Sequence, residues 1–325
     1  MAKKILVTGG AGYIGPHVLF QLSKLDCEVV VVDNLSTGRK ENIYHGEFIE
    51  ADLSDTAKLE DIIKNGKFDA CIHFAGSIIV PESVENPILY YKNNAMNSLG
   101  LIELCIKYKV NKFIFSSTAA VYGDLEGGVA FEETATVPIN PYGRSKLMTE
   151  WTLEDCSKAY EDFNYIALRY FNVAGANIEG HLGQTSKQST HLIKLASETA
   201  LKKRDKLFIF GDDYETPDGT CIRDYIHIDD LAIAHVDALS YLEREKKSHI
   251  LNCGYGHGYS VKEVVDVVKK VSDYDFPVET VGRRAGDGTK LVANSDKIKS
   301  VIGWKPKFDD LDVIAKTALE WESKI

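Results

Sequence analysis

Tyr142 and Lys146 stand at i and i+4 in the stretch Pro141-Tyr-Gly-Arg-Ser-Lys146. On a helix those positions share one face, and an ammonium held beside a phenol favours its ionised form. Free tyrosine titrates near 10, so half-ionisation near pH 7 requires a shift of about 3 units, worth about 4 kcal/mol. A phenolate made in this way can take a proton from a hydroxyl. Upstream, an apolar run from Phe113 ends in Ser116-Ser117-Thr118. Thr118 is thereby placed to hydrogen-bond the reacting hydroxyl and share its proton. The same spacing recurs at Tyr108 and Lys112, directly before Lys112-Phe-Ile-Phe115. That copy has no hydroxyl partner at a strand end and reads as a helix end and turn.

A base of this kind needs an acceptor for the hydride that leaves the same carbon. Near the start, Gly9-x-x-Gly12-x-x-Gly15 follows the apolar run Ile5-Leu-Val7 and opens a helical segment. Glycines at 9 and 12 permit the tight turn and let backbone N–H groups approach a pyrophosphate, while the helix N-terminus adds partial positive charge. An ordinary glycine turn would not need Asp33, the acid that closes the next apolar run. Its carboxylate is placed to accept hydrogen bonds from the ribose hydroxyls of an adenosine. It would also repel a 2′-phosphate by about 4 kcal/mol per unit charge pair at ~4 Å and an effective dielectric near 20. Arg39 is expected in solvent, so the cofactor is read as NAD and not NADP. Its positive nicotinamide ring and the Lys146 ammonium together would lower Tyr142. Pro16 falls in the first helical turn, where its missing N–H has no intrahelical partner to lose.

The elements that must position these groups alternate. Residues 5–7, 29–32, 70–74, 113–115 and 165–168 are short runs apolar on both faces, as in a parallel sheet covered by helices. Helices are expected over 16–25, 57–65, 87–109 and 142–160. This rhythm predicts an α/β fold, a doubly wound parallel (Rossmann) sheet. After residue 172 the periodicity becomes mixed, with a further strand at 249–252 and helices at 261–271 and 311–321. We expect an NAD-binding domain over 1–172, with a returning piece around 225–255. A smaller, discontinuous α/β substrate domain would comprise 173–224 and 256–325.

Composition excludes several classes. A chain of 325 residues is long enough for two domains, and a net charge of −10 disfavours nucleic acid or an anionic membrane as partner. Any anionic ligand would need local basic groups. Six dispersed cysteines, with no Cys-x-x-Cys pair, fit reduced thiols better than disulfides or a zinc site. No run approaches a transmembrane length, and the apolar stretch after Met1-Ala-Lys-Lys4 is too short for a signal peptide. A cytoplasmic protein is expected. Asp212-Asp213 to Asp218-Gly219 superficially suggests a calcium loop, but Pro217 and the ligand register oppose it. No metal is expected.

Motifs in order along nearly the whole chain resemble the UDP-glucose 4-epimerase family of the extended short-chain dehydrogenase/reductase superfamily. They are Val7 to Gly15, Asp33-Asn-Leu35, His73-Phe-Ala-Gly76, Tyr90-Tyr-Lys-Asn-Asn94, Phe115 to Gly123, Pro141 to Lys146, Arg169-Tyr-Phe-Asn172, Asp218 to His227 and Arg283-Arg-Ala-Gly-Asp287. The resemblance implies a homodimer joined through 87–109 and 142–160. It also implies a 4-epimerase cycle on tightly bound NAD, with Thr118, Tyr142 and Lys146 as the catalytic group. By position it assigns Gly9, Gly12, Tyr13, Ile14, Gly15, Asp33, Asn34, Leu35, Ser36, Thr37 and Gly38 to the cofactor. Asp52 and Leu53 would flank its adenine, and Phe74, Ala75, Gly76, Ser77, Ile78, Asn93 and Phe171, with Tyr142 and Lys146, would line the rest.

For a UDP-sugar the resemblance points, besides Thr118 and Tyr142, to Asn172, Leu192, Phe208, Phe210, Arg223, Arg284, Asp287 and Leu291. Arg223 and Arg284 would supply the local positive charge for a diphosphate. The chain departs from the family at Ile78 (often lysine), His191 (an expected asparagine), Val173-Ala174 (more usually Pro-Val) and Leu291. Members restricted to simple hexoses tend to carry tyrosine at this last position. Leucine leaves room near the sugar's 2-position, so N-acetylhexosamines are expected to be accepted too. The related dehydratases carry an Asp-Glu pair straight after the active-site threonine, and the decarboxylases keep a glutamate. Here Ala119-Ala120 stand there, and elimination of water needs an acid and a base. A non-catalytic NAD-binding scaffold would have no need of all three catalytic groups.

Overall fold

A computed structural model describes residues 3–186, 189–284 and 288–325. Its main sheet has seven strands: β1 (Lys3–Thr8), β2 (Cys27–Asp33), β3 (Glu47–Glu50), β4 (Ala70–His73), β5 (Lys112–Thr118), β6 (Asn164–Tyr170) and β7 (His249–Cys253). They lie in the order β7-β6-β5-β4-β1-β2-β3, and every pairing is parallel. The order reverses at β1, so the glycine turn after β1 opens at the switch point where such sheets bind ligands.

Successive side chains of a strand face opposite ways, and the two cores follow from that. Ile5 and Val7 of β1 pack with Val18, Leu19 and Leu22 of α1 (Ile14–Leu22) and with Ala234 and Leu242 of a later helix. Leu6 points the other way, towards Leu59 and Ile63 of α2 (Thr56–Gly66) and Leu101, Ile102 and Cys105 of α3 (Asn97–Lys107). Leu153 of α4 (Pro141–Ala159) joins this second layer. The later helix is α5 (Ile228–Glu245), and together with β7 it returns to the main sheet. Its face on the sheet is built largely of alanines (Ala232, Ala234, Ala238), a weak apolar stripe that sequence reading did not single out as a helix. The edge strand β3 was also missed, being four residues long and bounded by glutamates.

The helix expected over 87–109 is interrupted. A turn at Pro87–Tyr90 leads into a wide π-type turn at Tyr91–Met96 before α3 begins. The cause is visible at Asn94, whose side chain is buried and bonds outside the helix, to Ser77 and Ser145. Such single turns often mark functional positions.

The remaining strands are short. One small sheet runs in the order Tyr259–Ser260, Ile222–Arg223, Lys290–Ala293, Val129–Ala130. Its last member thus comes from the first half of the chain. Leu207–Phe210 pairs with Val278–Val281, and Tyr225–His227 with Asn172–Ala174. Among the described residues no helix is long and apolar enough to cross a membrane.

Candidate active site

Each glycine of the first turn has its own physical reason. Gly9 has φ of +72°, and a Cβ there would lie 2.3 Å from the Ala75 nitrogen. A Cβ on Gly15 would lie 2.6 Å from the Gly10 Cα. At Gly12, by contrast, a Cβ would meet only the Gly9 carbonyl at 3.7 Å. Open space therefore adjoins the turn where backbone N–H groups of a helix start are free to meet a phosphate. Pro16 sits in the first turn of α1.

Asp33, buried at the end of β2, accepts from the Ala11 N–H (3.0 Å) and the Leu35 N–H (2.8 Å). It holds the glycine turn and the 34–38 loop together, and each oxygen keeps a lone pair for a ribose hydroxyl. Gly38 closes that loop against Ala11, where a Cβ would lie 2.7 Å from its carbonyl carbon. Asn34 donates to Asp52 (2.6 Å) and accepts from the Ser36 N–H (3.0 Å). Hydrogen bonds from the Ser54 hydroxyl and N–H, then Asn34, hold Asp52 below the usual carboxylate range. Leu53 is buried beside it, and Thr37 and Arg39 are exposed. Asn42 was not foreseen: its amide reaches the Ala11 carbonyl (3.1 Å) and the Thr185 hydroxyl (2.9 Å), bracing the glycine turn. A lone asparagine beyond the motif carries no sequence signal for that. Tyr13 turns away from the open face, donating to the Gly175 carbonyl at 2.7 Å, and Ile14 packs against the core.

The candidate catalytic group assembles where β5 ends and α4 begins. Asn140 caps α4 by accepting from the Gly143 N–H (2.9 Å), and Pro141 is its first residue. A Cβ on Gly143 would lie 2.5 Å from the Ala120 carbonyl, so the helix start presses on the segment just after Thr118. Thr118 stands beside Tyr142, where its hydroxyl opposes the upward push of burial on the phenol, and it accepts from the Ala120 N–H at 3.1 Å. Lys146 is buried, 3% exposed, and donates to the Ser116 carbonyl at 2.9 Å. Burial pushes its ammonium down to about 8, against the opposing pull of Glu150.

From the side chains alone, burial raises Tyr142, and the Lys146 ammonium is turned to the Ser116 carbonyl; the expected lowering invokes the positive nicotinamide ring as well. The decoy pair separates: Tyr108 ends α3 with its hydroxyl 2.6 Å from Glu60, and Lys112 opens β5.

The 74–78 loop closes the cofactor side. Phe74 and Ala75 both donate backbone N–H groups to the Thr8 carbonyl. Ser77 is held by Asn94 through its N–H (2.7 Å) and by Asn93 through its hydroxyl (2.8 Å). A Cβ on Gly76 would lie 3.4 Å from the Lys146 ammonium, which places this loop against the catalytic pair. Ile78 is 56% exposed and adds no polar contact. Asn94, the last residue of the Tyr90–Asn94 motif, ties the loop to Ser145 beside Lys146. Its neighbour His73 is kept neutral, down to about 3 by burial and then Lys146, between Thr8 and Ser98 hydroxyls.

On the far side, Phe171 and Leu291 belong to one apolar cluster with Ala119, Tyr122 and Leu147. Leu291 is paired in register with Arg223, whose guanidinium is half-buried and donates to the Ile222 and Gly288 carbonyls (2.9 and 2.8 Å). Phe208 and Phe210 point outward from Leu207–Phe210, and the Arg284 guanidinium lies 5.5 Å over the Phe210 ring. Asn172 is exposed, and Leu192 opens the helix Leu192–Ala200 half-buried. His191, before it, contacts Gln184 (3.2 Å) and is held neutral, pushed to about 4 by burial and then Lys194. Asp287 lies outside the described residues. Asp218 is engaged by Thr220 and Ser260.

A doubly wound parallel sheet with a glycine turn, an acid closing the second strand and a Tyr–Lys pair with its lysine buried defines a nicotinamide-dependent enzyme of the short-chain dehydrogenase/reductase type. Residues 5–254 match the family described as "NAD dependent epimerase/dehydratase family", and the chain belongs to it. It is 50% identical to the UDP-glucose 4-epimerase of Azospirillum brasilense over 325 residues, covering 100% of this chain and 93% of that one. Among solved structures, the UDP-Glc/GlcNAc 4-epimerase from Campylobacter jejuni is 52% identical, with a TM-score of 0.88 and full coverage of both chains. The UDP-glucose 4-epimerase from Brucella ovis in complex with NAD is 43% identical, with a TM-score of 0.94 and 98% coverage of each.

Proposed function

We propose that this protein interconverts UDP-glucose and UDP-galactose by inverting C4 of the sugar, with Tyr142 as the base. The observation that carries this assignment is Thr118 beside Tyr142 with Lys146 buried behind them and bonded to the Ser116 carbonyl, followed by Ala119 and Ala120 where elimination would need acids. Thr118 orients the 4-hydroxyl, and Tyr142 takes its proton and later returns it. NAD, when bound, would supply the hydride acceptor and donor for C4, and its positive ring the charge that lowers Tyr142. No net oxidation results. Lys146 keeps a cation beside the phenol, and the 74–78 loop with Asn93 and Phe171 encloses the nicotinamide end. Gly9, Gly12 and Gly15 hold the pyrophosphate, and Asp33 with Asp52 and Leu53 the adenosine. In this reading 1–172 with 225–255 carries the cofactor, and 173–224 with 256–325 carries the uridine diphosphate.

Arg223 and Arg284 supply the positive charge for that diphosphate in an acidic chain, and Phe208 and Phe210 offer exposed rings. Leu291, packed beside Phe171, leaves the space at C2 that an N-acetyl group requires. The relative from Campylobacter jejuni, described as acting on both sugar types, supports the same breadth here. Purified protein incubated with each UDP-sugar and no added NAD tests the reading. Products from UDP-galactose and UDP-N-acetylgalactosamine are expected, and no turnover of UDP-N-acetylgalactosamine would remove the wider specificity.

The functional unit is a homodimer. Leu89, Met96, Leu99, Met148 and Trp151 are all exposed on 87–107 and α4, although those helices already pack on one another. A second copy covering both is the simplest way to bury them. Six free cysteines fit a cytoplasmic location.

A further inference from the structure

The reacting pair continues into a third residue. Tyr142, Lys146 and Glu150 stand at i, i+4 and i+8 of α4, a single row on its face. Two of them are fastened to consecutive residues of β5: the Ser116 carbonyl accepts from Lys146, and the Ser117 hydroxyl donates to Glu150. Thr118, the next residue of that strand, stands beside Tyr142. Glu150 is 1% exposed and receives Arg169 of β6 in a forked ion pair, Nε at 3.0 and 3.2 Å and Nη2 at 2.5 Å. Arg169 continues to the Tyr122 hydroxyl (3.0 Å), which reaches Asn252 of β7 (2.7 Å). One buried polar chain therefore runs from the catalytic helix across three strands.

A buried ion pair contributes little net stability, since its desolvation offsets its attraction. What it does supply is fixed geometry and a negative charge one turn from Lys146. We propose that Glu150 is a positioning residue for the proton transfer. Through Ser117 and Arg169 it sets the helix of Tyr142 and Lys146 in register on the strand of Thr118, and its carboxylate keeps Lys146 an ammonium. The inference rests on the catalytic reading of Tyr142 and Lys146. The other titratable groups around the row are consistent with it. His73 from β4 is neutral, Arg169 from β6 faces Glu150 and not Lys146, and Tyr165 from β6 is pushed up by burial and then by Glu154 and Glu150. Glu150 is the group that opposes the burial of Lys146.

Glu150→Gln in the NAD-bound protein keeps the shape and removes the charge. Lys146 then loses its proton at lower pH, so the alkaline limb of kcat is expected to move down by about one unit. Above that limb kcat falls about tenfold, while KM and bound NAD stay within about twofold. Because this variant leaves Arg169 without a counter-charge, Ser117→Ala is made alongside: it cuts the link to β5 and spares the ion pair. Here kcat is expected to fall about fivefold with the limb unmoved. An unmoved limb in folded Glu150→Gln, or an unchanged kcat in Ser117→Ala, overturns the proposal. Tyr142→Phe run in parallel separates the two readings, because turnover there would sink the base assignment whatever Glu150 does.

Discussion

At the scale of single residues, burial and hydrogen bonding pull Tyr142 in opposite directions, and burial wins in the protein alone. Removing the phenolic oxygen should therefore leave the fold and the cofactor site intact while removing the base. Tyr142→Phe is expected to lower kcat by about 10²–10⁴, with NAD released on denaturation equal to that of the parent. Leu291 makes the second residue-scale case. It packs in one cluster with Phe171 and Tyr122, and under the proposed function a tyrosine ring there would take up the space at the sugar's C2. Leu291→Tyr should retain UDP-galactose turnover and lose that of UDP-N-acetylgalactosamine, as product analysis of each would reveal. The Tyr–Lys spacing was legible in the sequence, and so was the decoy at 108 and 112. The partner of the Lys146 ammonium was not, because spacing says nothing of how much water the fold removes or where the ammonium points.

At the scale of elements, the proposed function depends on two helix starts held against strand ends. The first is the glycine turn, where Gly9 has no room for a side chain and its φ is positive. Gly9→Ala should displace the 74–75 backbone, and the purified protein should lose its bound NAD, seen as the loss of cofactor absorbance. The second is the cap of α4. Asn140→Ala removes the hydrogen bond to the Gly143 N–H, a change worth about 1 kcal/mol, measurable as a lower unfolding midpoint with urea. Both motifs were readable because glycine spacing and Asn-Pro helix starts are local. The π-type turn at 91–96 was not, since its cause is Asn94 bonding to Ser77 and Ser145, far from it in sequence.

For the molecule as a whole, acid sensitivity follows from its buried histidines. His191, His227 and His235 are pushed down to about 4, and His73 to about 3, all chiefly by burial. In the unfolded chain each would bind a proton near pH 6.5. Between 6.5 and 4 the unfolded state thus holds more protons, and stability falls as pH falls, by up to about 1.4 kcal/mol per unit for each histidine. The thermal midpoint should drop steeply from pH 6.5 to 4.5, whereas a flat profile would show these groups to be solvated. Trp151, half exposed on α4 (55%), tests the assembly. Trp151→Glu is expected to shift the mass in light scattering from dimer towards monomer.

Sequence by itself determined the parts whose physics is local. These are strands apolar on both faces, the glycines and acid of a dinucleotide turn, the Tyr–Lys pair, and alanines where elimination would need acids. Tertiary structure alone decided what depends on distant chain being brought together. It joined β7 and α5 to the main sheet, took Val129–Ala130 into the smaller one, and set Asn42 against the glycine turn. It also set the charge balance around Tyr142 and Lys146, because desolvation is a property of the packed interior and has no signature in residue spacing.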